Sequence, residues 1–319
     1  MWLLGEPWVV VRLQGRLVAF EDRCPHRLAP LSAGRVCGDE LQCAYHGWRF
    51  DGDGRCNAIP AISDGDHIPK RATLRRAWGV QEHCGLIWLA PEEPLCPPHL
   101  FPEWESPGFE QIWTTIVDTP VSAGQLVDNF LDAAHFPFVH QGTFGDHKAA
   151  AVVDDGIVRE GWTVRTEFST WYHNFDDPLV EAGIHDAVQP QGLLKQGNAS
   201  LTVYLRLRFP VTGATFGILF CCTPETADRT RIYKLVARDD LAGDLHRAAR
   251  TVADEDKILA EDLAVLERYR AMELHLDPTI ELHTKADRLS LAWRRLLAEW
   301  ANTGPSLAAG PAVNPLPVA

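Results

Sequence analysis

Asp22-Arg23-Cys24-Pro25-His26-Arg27, followed after a loop by Cys43-Ala44-Tyr45-His46-Gly47-Trp48-Arg49-Phe50-Asp51-Gly52-Asp53-Gly54, forms a C-x-H…C-x2-H pattern. Each half supplies one thiolate and one imidazole. Thiolates suit iron–sulfur clusters, and neutral imidazole lowers a cluster's negative charge. Two Cys on one iron and two His on the other therefore give a [2Fe–2S] centre of higher potential than an all-Cys cluster. A structural zinc site is the alternative. Zinc fingers, however, keep the Cys pair together and the His pair together, and here each half is mixed. Pro25 stiffens the first loop, Gly47 allows a sharp turn that could aim N–H groups at sulfides, and Tyr45 and Trp48 are placed to shield the cluster.

Short apolar runs surround this pattern. Trp8–Leu13 and Leu17–Phe20 flank the turn signal Gln14-Gly15-Arg16, and Trp48–Phe50 precedes the turn Asp51–Arg55. With Trp78–Val80 and Leu86–Leu89 they predict a small antiparallel β domain over residues 1–98. Prolines 91, 94, 97, 98, 102 and 107 mark a boundary. Beyond it the expectation is an α+β domain over 99–303. It would hold a helix over 122–140, an antiparallel meander over 199–238 with turns at 210–213 and 224–227, a helix over 242–271 and a last helix near 285–301. The Pro/Gly/Ala tail 304–319 is expected to be disordered.

The 122–140 segment contains Asp128-Asn129-Phe130-Leu131-Asp132-Ala133-Ala134-His135-Phe136-Pro137-Phe138-Val139-His140. Asn129, Asp132 and His135, spaced by three, share a helix face. His135 and His140 are five positions apart, about 140° on a straight helix, and Pro137 is expected to break or distort it so that both imidazoles can face one point. Two neutral His and one carboxylate make a facial triad with open positions, suited to oxygen activation at Fe(II). A plain amphipathic helix is the alternative, but polar groups among so many Phe and Leu need partners. For the carboxylate, Asp254-Glu255-Asp256-Lys257 offers candidates that could equally be a solvated helix face.

These two motifs resemble those of the Rieske non-haem iron oxygenases, and the resemblance covers nearly the whole chain. It is strongest to monooxygenase components such as dicamba monooxygenase, vanillate O-demethylase and 3-ketosteroid 9α-hydroxylase. The resemblance implies a helix-grip catalytic domain. It assigns Cys24, His26, Cys43 and His46 to the cluster, and His135, His140 and Asp256 to iron, with Asp254, Glu255 and Asp262 as substitutes for the last. It places Asn129 close to the iron and has Asp132 link His135 to a Rieske histidine. It also implies head-to-tail homotrimers, O2 as co-substrate, a ferredoxin or flavin reductase partner using NAD(P)H, and hydroxylation or oxidative dealkylation of a small molecule. Dihydroxylation by a longer dioxygenase α-subunit and an iron-free electron carrier are the rival readings. Members usually carry further residues ahead of the Leu3-Leu4-Gly5-Glu6-Pro7 segment with which this sequence nearly begins.

Phe144, Trp171, Phe175, Leu205, Phe216, Ile218 and Phe220 are candidates to line an apolar or aromatic substrate pocket, or else core. The net charge of -13 disfavours nucleic acid and anionic membrane as partners. No run approaches the roughly 18 apolar residues of a membrane helix, and the N-terminus lacks a basic signal region, so a cytoplasmic protein is expected. The eight cysteines are then expected to be reduced. A G-x-G-x-x-G after a strand is missing, which assigns NAD(P)H chemistry to a partner.

Overall fold

The computed structural model describes residues 1–63, 65–149, 156–269 and 273–302, so the 304–319 tail lies outside the described residues. The chain divides within the Pro-rich stretch into two compact units, one over Met1–Leu95 and one over Cys96–Asn302.

The first unit holds β1 (Trp2–Leu3), β2 (Glu6–Leu13), β3 (Arg16–Glu21), β4 (Arg35–Cys37), β5 (Glu40–Gln42), β6 (Arg49–Phe50), β7 (Cys56–Ala58), β8 (Gly79–His83) and β9 (Leu86–Ala90). They form antiparallel sheets β1-β2-β3, β4-β5-β6-β7 and β8-β9. The hairpin turn expected at Gln14-Gly15 has two positive φ angles, 50° and 74°. Such a turn matches strand twist, and Gly takes the conformation at little cost. Leu13, Val18, Phe20, Leu31, Leu41 and Phe50 pack into a core that also takes in Cys24 and Cys43.

In the second unit the chain runs α1 (Pro102–Glu105), β10 (Glu110–Trp113), β11 (Val117–Thr119), α2 (Ala123–Leu131), α3 (Phe136–Val139), β12 (Val158–Glu160), β13 (Thr163–His173), α4 (Pro178–Glu181), β14 (Val188–Asn198), β15 (Thr202–Phe209), β16 (Ala214–Thr226), β17 (Arg229–Arg238), α5 (Leu245–Leu266) and α6 (Arg288–Asn302). The sheet has eight strands in the order β10-β17-β16-β15-β14-β13-β12, with β11 also on β17. The expected meander is β15-β16-β17. Its second turn falls after Thr226, because β16 continues through a bulge between Pro224 and Thr226.

Leu126, Val127, Phe130 and Leu131 of α2, Leu259, Leu263 and Leu266 of α5, and Trp293 and Leu296 of α6 bury against Val203, Ile218, Phe220, Ile232 and Val236 of the sheet. Each such side chain contributes about 2 kcal/mol of transfer free energy. Gly197 of β14 makes the close approach possible, since a Cβ there would lie 2.7 Å from Leu131 and 3.1 Å from Trp293. Arg294 of α6 forks onto Asp128 of α2 at 2.8 and 2.7 Å, fixing the two helices together.

The helical stretch expected over 122–140, with a break or distortion at Pro137, forms two helices. α2 ends at Leu131, Asp132 caps it in extended conformation (ψ 144°), and α3 begins at Phe136. Proline clashes with the carbonyl four residues earlier, so Pro137 excludes helix at Ala133 and fits only near the start of a new one.

Candidate metal centre

The break between α2 and α3 sets the first imidazole. Asp132 accepts from the backbone N–H of Ala134 (3.0 Å) and of His135 (3.1 Å), and its Oδ2 also accepts from His135 Nδ1 at 2.7 Å. Buried Lys195 donates to the Asp132 carbonyl. Burial raises the Asp132 carboxyl, but the His135 hydrogen bond and charge, with Lys195, outweigh it and hold the pKa at about 2. Past α3, His140 Nδ1 donates to Glu261 Oε2 at 2.8 Å, and Thr143 Oγ1 donates to the same oxygen at 2.8 Å. Each Nδ1 proton is thus committed to a carboxylate, which leaves both Nε2 lone pairs free to bind.

Both Nε2 atoms face Asp262 of α5. Its Oδ1 lies 3.4 Å from His135 Nε2 and 3.2 Å from His140 Nε2, yet makes no hydrogen bond. Among the described residues these three form the one group of at least three ligand atoms within 4.8 Å of each other. Asp262 is 5% exposed and His140 1%. Unpaired lone pairs converging in a buried place repel one another unless a cation sits between them. Without a cation, a proton is the remaining relief. Accordingly His135 is raised, burial opposing and the Asp132 and Asp262 carboxylates prevailing, while Asp262 is lowered by the two histidines against its own burial. The donor set of two imidazoles and one carboxylate fits non-haem Fe(II).

In the first unit, Cys24 and Cys43 are buried, while His26 is exposed and His46 half-buried. The Cys24 N–H donates to the Ala29 carbonyl (2.9 Å) and the Cys43 N–H to that of Trp48 (2.8 Å), closing two loops. Gly47, at φ 72°, turns the second loop. His26 stacks on Trp48 (centroids 4.7 Å) and meets His46 edge-on at 4.5 Å. Among the described residues these four do not form a group of three or more ligand atoms within 4.8 Å of one another, as a single zinc would require. A cluster with sulfur ligands at one iron and imidazoles at the other fits them. Burial, partly offset by the His26 backbone and reinforced by Cys43, pushes the Cys24 thiol up to about 11, so a metal is needed to make it a thiolate ligand.

A cavity of about 680 Å³ opens onto the His135–His140–Asp262 group. Phe136, Phe144, Leu205, Leu207, Ile218 and Phe220 line it, and so do Arg247 and Arg250 of α5.

Two family models match this chain: the Rieske [2Fe-2S] domain over residues 1–73 and the vanillate O-demethylase oxygenase C-terminal domain over residues 120–303. The chain belongs to the Rieske non-haem iron oxygenases. Chlorophyllide a oxygenase of Chlamydomonas reinhardtii is 39% identical over 44% of this chain, a stretch that is 22% of that protein's length. The methylxanthine N1-demethylase NdmA of Pseudomonas putida is 29% identical over 93% of this chain and 81% of its own. The structure of NdmA with caffeine superposes with a TM-score of 0.80 at 25% identity, covering 94% of this chain and 83% of that one. A Rieske oxygenase is an oxidoreductase that works with a [2Fe–2S] cluster, a mononuclear iron and O2, and both donor sets described above fit those centres.

Of the residues singled out in the sequence, His135 and His140 come together with Asp132 beside them, and Asn129 lines the cavity with a buried Nδ2 that has no hydrogen-bond partner. Asp256 does not join them. It accepts from the N–H and hydroxyl of Thr115, and the carboxylate at the histidines is Asp262, one of the substitutes. Six residues of helix turn the side chain by about 600°, which puts Asp256 and Asp262 about 120° apart around α5. Asp262 sits in the buried stripe Leu259, Leu263, Leu266, and an acid on an apolar stripe was the signal that could have found it. Glu261, the partner of His140, escaped the sequence reading.

Phe144, Phe175, Leu205, Phe216, Ile218 and Phe220 line the cavity, but Trp171 does not. Side chains alternate along β13, and because Tyr172 points in, Trp171 points out, 43% exposed, with Lys148 Nζ 5.1 Å from its ring centre.

Proposed function

We propose that this chain is the oxygenase component of a Rieske monooxygenase. It hydroxylates, or oxidatively dealkylates, an apolar or aromatic small molecule. The observation that carries the reading is the unpartnered Asp262 Oδ1 between two Nε2 atoms, on the wall of an apolar cavity. His135, His140 and Asp262 would hold the iron, and Cys24, His26, Cys43 and His46 the cluster. When bound, the iron supplies dioxygen activation and the cluster supplies single electrons.

The chain's own residues do the rest. Asp132 and Glu261 each hold an Nδ1 proton, which orients the imidazoles with Nε2 toward the metal site and makes them stronger donors. The Phe and Leu lining excludes water and holds a C–H bond near the triad. The balance is R–H plus O2, two electrons and two protons to R–OH plus water. A hydroxylated carbon bearing nitrogen or oxygen then loses its heteroatom, which is a dealkylation. The electrons come from a ferredoxin or flavin reductase using NAD(P)H. The family resemblance further supports a homotrimer in which Asp132 faces the partner subunit's His46. An iron–sulfur cluster and six further cysteines suit a reducing, cytoplasmic compartment.

The test begins with anaerobically purified protein. About three iron per two acid-labile sulfides, followed by NADH- and O2-dependent turnover of aromatic ethers or N-methyl compounds with a surrogate reductase, supports the reading. A ratio near two to two that persists after adding Fe(II) sinks it.

A further inference from the structure

Past the metal group, one stretch of the cavity wall is polar. His140 stacks on Phe144 (centroids 4.7 Å), and Phe144 packs against the cluster of Tyr172, Phe209 and Ala214. Tyr172 therefore lies one aromatic ring beyond the triad along the wall. The neighbouring polar groups satisfy one another. Asn174 donates to Gln189 (3.0 Å), and Gln189 donates to Asp177 (2.9 Å). Asp177 also accepts from His185 Nδ1 (2.7 Å) and the Leu179 N–H (2.9 Å).

Tyr172 is left over. It is 6% exposed and lines the cavity, and its hydroxyl, with only Asn174 close by, makes no hydrogen bond of good geometry. Burial, with Asp177 adding, raises the phenol, so the hydroxyl keeps its proton and acts as a donor. Gln191 brings an amide to the same wall. The register pairs Thr170 with Gln191 and Tyr172 with Gln189, so Tyr172 and Gln191 are diagonal neighbours on one face of the sheet. A hydroxyl buried without a partner is costly, and a ligand acceptor removes that cost.

We propose that Tyr172 binds the substrate by donating to a carbonyl-type acceptor, and that the substrate is an apolar molecule carrying that acceptor at the end remote from the triad. This rests on the oxygenase reading for the meaning of the cavity, but binding can be measured apart from turnover.

The probes are 9-fluorenone and fluorene, near-isosteres that differ by a carbonyl against a methylene. Dissociation constants are measured on the iron-loaded enzyme without reductase, for wild type, Tyr172→Phe and the outward-facing control Trp171→Phe. The wild type and Trp171→Phe should prefer the ketone by about tenfold, and Tyr172→Phe should lose that preference while binding fluorene as before. Failure of the wild type to bind fluorenone up to its solubility limit overturns the proposal. So does an unchanged ketone preference in Tyr172→Phe, or an equal loss of affinity for both probes. Selective binding of the ketone by an enzyme that turns over no aromatic substrate would instead sink the oxygenase reading and leave this one standing.

Discussion

Asp262→Ala and Asp256→Ala should have opposite signatures. Asp262 supplies one of three converging ligand atoms, and its Oδ1 has no hydrogen bond to lose. Disturbing a residue behind a ligand costs about 10–100-fold in metal affinity, so removing a ligand itself should cost at least about 100-fold. With Fe(II) at about 100 times its dissociation constant, binding stabilises the wild type by about 2.7 kcal/mol. A 100-fold weaker variant at the same concentration gains about 0.4 kcal/mol. The difference of about 2.3 kcal/mol corresponds to a lost iron-dependent rise in Tm of about 5–9 °C for a unit of this size. Asp256→Ala should instead keep that rise. It should lower stability with and without iron by about 1–2 kcal/mol, through the two hydrogen bonds from Thr115. Anaerobic thermal scans with and without Fe(II), read beside iron per sulfide, separate the cases. An iron-dependent shift that survives in Asp262→Ala and vanishes in Asp256→Ala would refute the assignment.

Three further outcomes are expected. Glu261→Ala removes the acceptor of His140 Nδ1 and should weaken Fe(II) binding by about 10–100-fold in a chelator competition, with the cluster absorbance unchanged. Gly145→Ala should abolish iron loading, because a Cβ there meets the Phe136 carbonyl and lies 2.8 Å from that of His140; normal iron content would show that the loop relaxes. Buried His99 is held neutral, with its pKa lowered by burial from 6.5 to about 4. Its contribution is intact above pH 6.5 and is lost as pH falls toward 4, up to about 3 kcal/mol, so urea unfolding of His99→Gln should lose less between pH 7 and 4.5 than wild type does.

The motifs that sequence exposes most readily are those whose chemistry is local. C-x-H and C-x2-H each close within one loop, and His135 and His140 flank one proline. Asp262 was harder, because its role depends on which side of a 22-residue helix faces the sheet, and the acids at 254–256 looked equally suitable. β14 is unassigned in the sequence reading for a different reason. Pro190, Gly192 and Gly197 weaken its strand pattern, yet Gly197 is there because Leu131 and Trp293 press against the strand. The break expected from Pro137 falls over residues 132–135, because proline acts on the carbonyl four residues before it.

One element carries both ends of the cavity. α5 presents Arg247 and Arg250 to the cavity and, further along, Glu261 and Asp262 to the histidines. At 1.5 Å per residue, about 18 Å of rigid helix separate Arg250 from Asp262. The helix acts as a ruler: side chains between those marks can change without moving either end, but inserting or deleting one residue would swing one end by about 100°. Diverging relatives that keep this chemistry should therefore vary in the letters of α5 and hold its length constant.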